Sequence, residues 1–229
     1  MRPPAPFGDH GTSKAPSFTL VVLGQEGNVV GEGRPLSQSD LFAREALVVA
    51  QPKRSRWRRY TGPALAVSTV EGTLLAQVTH TVDSRCLLTR VSGERVVRIE
   101  KSSRFGQFGP VRFRFTDAAD GEAGSVDARG PVKTGQLSLL TARGRTLFLT
   151  RRGLLSTEWQ LTESDPHRSP APEVLGRVTV STIDGWLGLQ QYVVVTDPRL
   201  DTSERRTVVA SVVCLHLLRR PPDSSSAPA

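Results

Sequence analysis

The sequence predicts a mainly β chain: a closed antiparallel barrel of about twelve strands enclosing a hydrophobic C-terminal helix. Three observations point there. Short segments of strand character recur along most of the chain, joined by glycine-bearing turns. Their spacing is regular, which favours a sandwich or a barrel. Near the end, Thr207 to Leu218 (TVVASVVCLHLL) is apolar around nearly its whole circumference. A helix of that kind needs surroundings that hide every face, and the inside of a closed barrel provides them.

The strands follow in order. Ser17 to Leu23 is the first apolar run and Glu45 to Gln51 the second, with a short helix expected around Ser37 to Arg44. A series of hairpins begins at Ala64 to Thr69, which turns through Val70, Glu71 and Gly72 into Thr73 to Thr79. Arg85 to Arg90 turns at Val91, Ser92 and Gly93 and returns as Arg95 to Lys101. In Val111 to Thr116, Val111, Phe113 and Phe115 alternate with Arg112 and Arg114, the period of a half-buried strand. Gly124 to Ala128, Gln136 to Thr141, Thr146 to Thr150, Leu155 to Leu161, Glu173 to Ser181 and Trp186 to Val195 complete the set.

The terminal run carries helix signals at both ends, while its β-branched Thr207, Val208, Val209, Val212 and Val213 also permit a strand. Asp201 is placed to cap it, and Glu204 three residues later closes a capping box. Arg219 and Arg220 fall where positive charge is favoured, and Pro221 and Pro222 stop the helix. The expected helix is 202–220, inside a barrel domain of 17–220. Residues 1–16, rich in Pro, Gly and Ser, and residues 221–229 are expected to be loose tails.

Composition bounds the function classes. With 229 residues and 38% hydrophobic content the chain can bury a real core. Two cysteines, Cys86 and Cys214, make no disulfide framework, and a reducing compartment is expected. No run reaches eighteen apolar residues, so no transmembrane helix is expected. The N-terminal residues lack the apolar stretch of a secretion signal. A cytoplasmic protein, peripheral at a membrane at most, is the expectation. The formal net charge of +8 favours anionic partners.

No catalytic constellation is recognisable. Ser84, Ser138 and Ser211 stand in no nucleophile-elbow context, and the four histidines (among them His10, His80 and His167) show no zinc spacing. The glycines of GQEGNVVGEG lack the lysine of a phosphate-binding loop. Asp117, Asp120 and Glu122 do not have calcium-loop spacing and read as a solvated turn. The chain is therefore expected to be non-enzymatic, with no cofactor and no metal.

The candidate site is basic. In PKRSRWRRY, Lys53, Arg54, Arg56, Arg58 and Arg59 surround Trp57. Three readings are open: a solvated loop, a grip on acidic lipid headgroups or other phosphorylated ligands, and a nucleic-acid contact with Trp57 or Tyr60 stacking on a base. An acidic protein partner fits the same charge. Arg112 and Arg114 join this candidate surface, with Arg95, Arg98, Lys101 and Arg104 as a neighbouring set if their strands are adjacent.

The order of elements resembles the tubby C-terminal-like superfamily, which includes tubby proteins, phospholipid scramblases and LURP-one-related proteins. The resemblance rests on GRVTVSTIDGWLGLQQYVVVTDPRLD (Gly176 to Asp201) and on the apolar helix entered through DTSERR. Pro198, Leu200 and Asp201 occupy the family's strand-to-helix segment, and Arg206 to Leu218 matches its barrel-threading helix. The similar region runs from Phe18 to Arg220, through loose apolar patterns and no fixed catalytic letters. The resemblance implies a helix-threaded barrel, and anionic lipid or phosphoinositide as the ligand class. The scramblase cysteine cluster is absent, and no counterpart of a scramblase calcium segment is found.

Overall fold

The computed structural model describes residues 41–53, 64–81, 85–103, 109–128, 135–153, 156–166, 171–184 and 189–219. All belong to the unit Pro35–Ala229. Twelve strands follow one another: β1 Ala46–Ala50, β2 Leu65–Ser68, β3 Leu74–Thr81, β4 Arg85–Arg90, β5 Arg95–Ser103 and β6 Val111–Thr116 in the first half. The second half holds β7 Glu122–Ala128, β8 Gln136–Thr141, β9 Thr146–Arg151, β10 Glu158–Thr162, β11 Val174–Asp184 and β12 Leu189–Thr196. The helix α1, Thr202–Arg219, ends the described chain.

Each strand pairs antiparallel with its sequence neighbour, and β1 closes the barrel against β12, Ala46 opposite Val195 and Ala50 opposite Gln191. Closure removes the free edges that an open sheet of this size would expose. The expected strand at Ser17 to Leu23 lies outside the described residues, and the barrel closes without it. Of the expected short helix, Leu41 and Phe42 are helical and buried, and the residues before them lie outside the described set. One strand, β10, starts later than its apolar pattern suggests. Pairing in β10 begins at Glu158, because a tight turn holds Ser156, whose N–H is bonded to the Gly153 carbonyl at 3.1 Å and whose Oγ accepts from the Glu158 N–H at 3.0 Å. β12 is described from Leu189, and Trp186 to Gly188, at the start of its apolar pattern, lie outside the described residues.

Alternation decides what faces inward. Phe113 and Phe115 on β6, Leu137 and Leu139 on β8, Leu147 and Leu149 on β9, and Tyr192 and Val194 on β12 are all buried. They meet α1, whose Val208, Val209, Ala210, Val212, Val213, Cys214 and Leu215 are also buried. The helix is covered on all sides, as its uniformly apolar sequence requires. Fully burying one such valine or leucine is worth about 1.5–3 kcal/mol. Cys214 behaves as a small hydrophobe, and burial pushes its thiol well above the usual range.

The capping box forms as its residues dictate. Asp201 Oδ1 accepts from the N–H groups of Ser203 at 2.7 Å and Glu204 at 2.9 Å. Glu204 Oε2 accepts from the Asp201 N–H at 3.0 Å. The polar side chains of the helix interior are bonded too. Ser211 Oγ donates back to the Val208 carbonyl at 2.6 Å, and Thr207 Oγ1 donates to Ser203 O at 3.1 Å and, less closely, to Ala123 O at 3.3 Å. That last contact marks a close approach of β7 to the helix. Gly124 sits there at φ +130°, and a Cβ on it would lie 2.5 Å from the Leu140 carbonyl oxygen and 3.2 Å from Thr207 Oγ1.

Strand direction defines two ends. Odd strands start at the lower end, where α1 also starts, and finish at the upper end, where α1 finishes. His216 fixes the upper part of the helix against β12: its Nδ1 lies 3.3 Å from Tyr192 Oη.

Candidate anion-binding surface

Of the predicted site residues, Lys53, Arg112 and Arg114 are described, and all three are exposed. Arg54, Arg56, Trp57, Arg58 and Arg59 lie outside the described residues, as does Arg104. Lys53 follows β1 at the upper end, and the described chain resumes at Ala64 just before β2 at that same end.

The second basic set is brought together, because β5 and β6 are neighbours. It is not uniformly positive. Arg112 faces Asp127 across the β6–β7 register and donates to both of its carboxylate oxygens, at 2.8 and 3.0 Å. Asp127 holds the Arg112 guanidinium above its usual pKa. Arg114 stands 3.8 Å from Glu122. Arg95 and Arg98 share Asp120, at 3.1 and 3.3 Å, and Arg98 and Arg85 share Glu100, each at 3.3 Å. An anion arriving here has to compete with these carboxylates. Surface pairs of this kind add little to stability, and their main effect is to neutralise the face. Lys53 and Lys101, both exposed toward the upper end, have no ion pair among the described residues.

A larger asymmetry appears when the sequence between strands is sorted by barrel end. The six segments that join strands at the upper end, 51–64, 82–84, 104–110, 129–135, 152–157 and 185–188, contain nine Lys or Arg and a single Asp. The six at the lower end, 69–73, 91–94, 117–121, 142–145, 163–173 and 197–201, contain four Arg and nine Asp or Glu. The upper-end segments also hold Trp57, Tyr60, Phe105, Phe108 and Trp186. None of this sorting is visible in a linear reading, since the two groups of connections alternate along the chain.

The lower end is tied down by its own charges. Arg145 donates to Glu163 at 2.9 and 2.8 Å and to Glu204 at 3.0 Å, and Arg143 pairs with Asp201 at 2.7 Å. Arg199 donates to Asp197 at 2.9 Å and also bonds Glu173, and Arg199 lowers the Asp197 carboxyl to about 2. Arg205, buried, donates to the carbonyls of Ala43 at 2.7 Å and Pro198 at 3.0 Å. Nothing in the sequence marks the contacts of Arg145 with Glu163 and Glu204 or of Arg205 with the Ala43 carbonyl, because those partners lie on distant segments.

Among the described residues no group of three or more His, Cys, Asp or Glu side chains is arranged to hold a metal ion. No described helix is long and apolar enough to cross a membrane. Cys86 Sγ lies 3.2 Å from His80 Nδ1 at the upper rim, with the sulfur side chain buried.

The fold defines the class: a closed twelve-strand antiparallel barrel threaded by one C-terminal helix. No family model and no curated protein matches the chain. Among solved structures, the X-ray structure of a protein from Arabidopsis thaliana is similar over 76% of this chain and 92% of that one, with 15% identity and a TM-score of 0.48.

Proposed function

We propose that this chain is a tubby-like, scramblase-like binding module that docks on anionic lipid headgroups, phosphoinositides included, at a cytoplasmic membrane surface. The observation that supports the reading is the charge asymmetry along the barrel axis. Nine basic residues interleaved with five aromatics fall in the upper-end connections, against one acid. Clustered Lys and Arg near an anionic bilayer contribute about 1 kcal/mol each, and flanking aromatics suit the headgroup region. Lys53, Arg54, Arg56, Arg58 and Arg59 supply the bidentate and point-charge contacts, with Trp57 entering the interface. Arg112 and Arg114 act as a weaker flank, since Asp127 and Glu122 already engage them.

Flotation with phosphatidylcholine vesicles, with and without phosphatidylserine or a phosphoinositide, tests this across a salt series. Binding only to the anionic vesicles, weakened by salt and abolished by Arg56→Glu, Arg58→Glu and Arg59→Glu together, is the expected result. The same change at Arg44, an exposed cation beside the start of β1, leaves binding intact. Equal binding by the triple variant overturns the site. Salt-sensitive retention on DNA or RNA with no vesicle binding replaces the lipid with a nucleic-acid partner, and neither leaves an acidic protein.

A further inference from the structure

A cleft of about 390 Å³ opens at the lower end, opposite the end that Lys53 marks, where the first turns of α1 pass β5 and the β6–β7 turn. Phe42 and Val96, both buried, line it, with Ala118 and Ala119 on an exposed wall. Asp117 and Arg206 also line it.

These two charges are available. Arg206 makes no hydrogen bond or ion pair among the described residues, and its Nε is buried without a partner. A buried donor left unmade is costly, so it calls for an acceptor. The Asp117 carboxylate does not supply one: the two side chains form no ion pair. Asp117 Oδ1 is committed to its own turn, accepting from the N–H groups of Ala119 at 3.0 Å and Gly121 at 2.9 Å. Its Oδ2 has no donor among the described residues. The helix end itself is not the anchor, because Asp201 already takes the N–H groups of Ser203 and Glu204.

A lone anion in this cleft would meet Arg206 and be repelled by Asp117. A lone cation would meet the reverse. A molecule carrying both charges satisfies both walls and places an apolar body on Phe42 and Val96. We infer that the cleft binds a small zwitterion with an apolar side chain, of the amino-acid class, its carboxylate on Arg206 and its ammonium on Asp117 Oδ2. The size is suitable, since small-ligand sites run from about 300 to 1,000 Å³.

The full chain is titrated with L-phenylalanine by calorimetry and by ligand-observed NMR. Three comparators each lack one feature: 3-phenylpropionate has no ammonium, 2-phenylethylamine has no carboxylate, and phosphoethanolamine keeps both charges without the ring. Saturable phenylalanine binding, with each comparator weaker by about tenfold or more, is expected, since the first two each lose a charge-assisted contact and the third loses the apolar one. Arg206→Met keeps the aliphatic stem and removes the charge, and Ala119→Leu fills the cleft from an exposed position. Both abolish binding while the unfolding midpoint stays at its wild-type value. No saturable binding of phenylalanine overturns the proposal, as does binding that survives Arg206→Met or that 3-phenylpropionate or 2-phenylethylamine matches. Vesicle flotation of the same variants is unchanged, which separates this site from the basic end.

Discussion

Arg145, in the β8–β9 turn, donates to Glu204 in the first turn of the C-terminal helix at 3.0 Å. The same carboxylate accepts the Asp201 N–H through its other oxygen. One buried glutamate thus closes the helix cap and ties the helix to the barrel wall.

Glu204→Ala removes both bonds. A cost of about 1–3 kcal/mol is expected from the lost cap and the stranded donors. Glu204→Gln keeps an acceptor for the Asp201 N–H and recovers part of it. Urea unfolding of both variants measures the split, and equal losses would mean the cap contributes nothing.

The helix is a core element, so a charge in its middle cannot be solvated. Val212→Asp is expected to cost about 4 kcal/mol or more, whereas Val212→Ala costs about 2 kcal/mol for the cavity alone. Val212 is fully buried. Equilibrium denaturation decides the matter: a mild effect of the aspartate would remove α1 from the barrel interior.

Gly124 and Gly93 both have positive φ, +130° and +88°. They differ in space. A Cβ at Gly93 meets nothing within 4 Å, while at Gly124 it lies 2.5 Å from the Leu140 carbonyl oxygen. Gly93→Ala is expected to cost about 1 kcal/mol of backbone strain, and Gly124→Ala more, by at least about 1 kcal/mol. Thermal melts of the two variants make the comparison.

Tyr192 gives the barrel an alkaline limit. Burial pushes its phenol up to about 12, with Arg219 pulling the other way. Because the folded value exceeds the ordinary phenol value of 10.0, the stabilisation is whole below pH 10 and is lost as pH rises toward 12. Within that window the unfolded chain binds fewer protons, and stability falls by about 1.4 kcal/mol per pH unit from this group. Tyr192→Phe loses the bond to Gln190 Oε1 and also removes this decline. Urea midpoints measured across the window, wild type against variant, show it; parallel curves would place the titration elsewhere.

Much of the fold is local information. Alternation in Val111 to Thr116, the glycine turns after Thr69 and Arg90, and the Asp201–Glu204 capping box each occupy a few adjacent residues. They specify strand, hairpin and helix start without reference to the rest of the chain. The uniformly apolar TVVASVVCLHLL then allows only an enclosed site, so even the closed barrel follows from sequence. Strand starts are less legible, as β10 shows, because a turn held by the Gly153 carbonyl and Ser156 Oγ consumes residues whose pattern is still strand-like.

The sequence by itself determined the element types, the barrel and the basic segment around Trp57. Only the tertiary structure decided which charges meet. Asp127 neutralises Arg112 because β6 and β7 are in that register, and Arg145 reaches Glu204, 59 residues on, because the helix starts at the end where the β8–β9 turn lies. The same topology sorts alternate connections to opposite ends and leaves Arg206 and Asp117 across a cleft without pairing them. Secondary structure is encoded over spans of a few residues, whereas electrostatic partnership acts through space and depends on closure of the whole barrel.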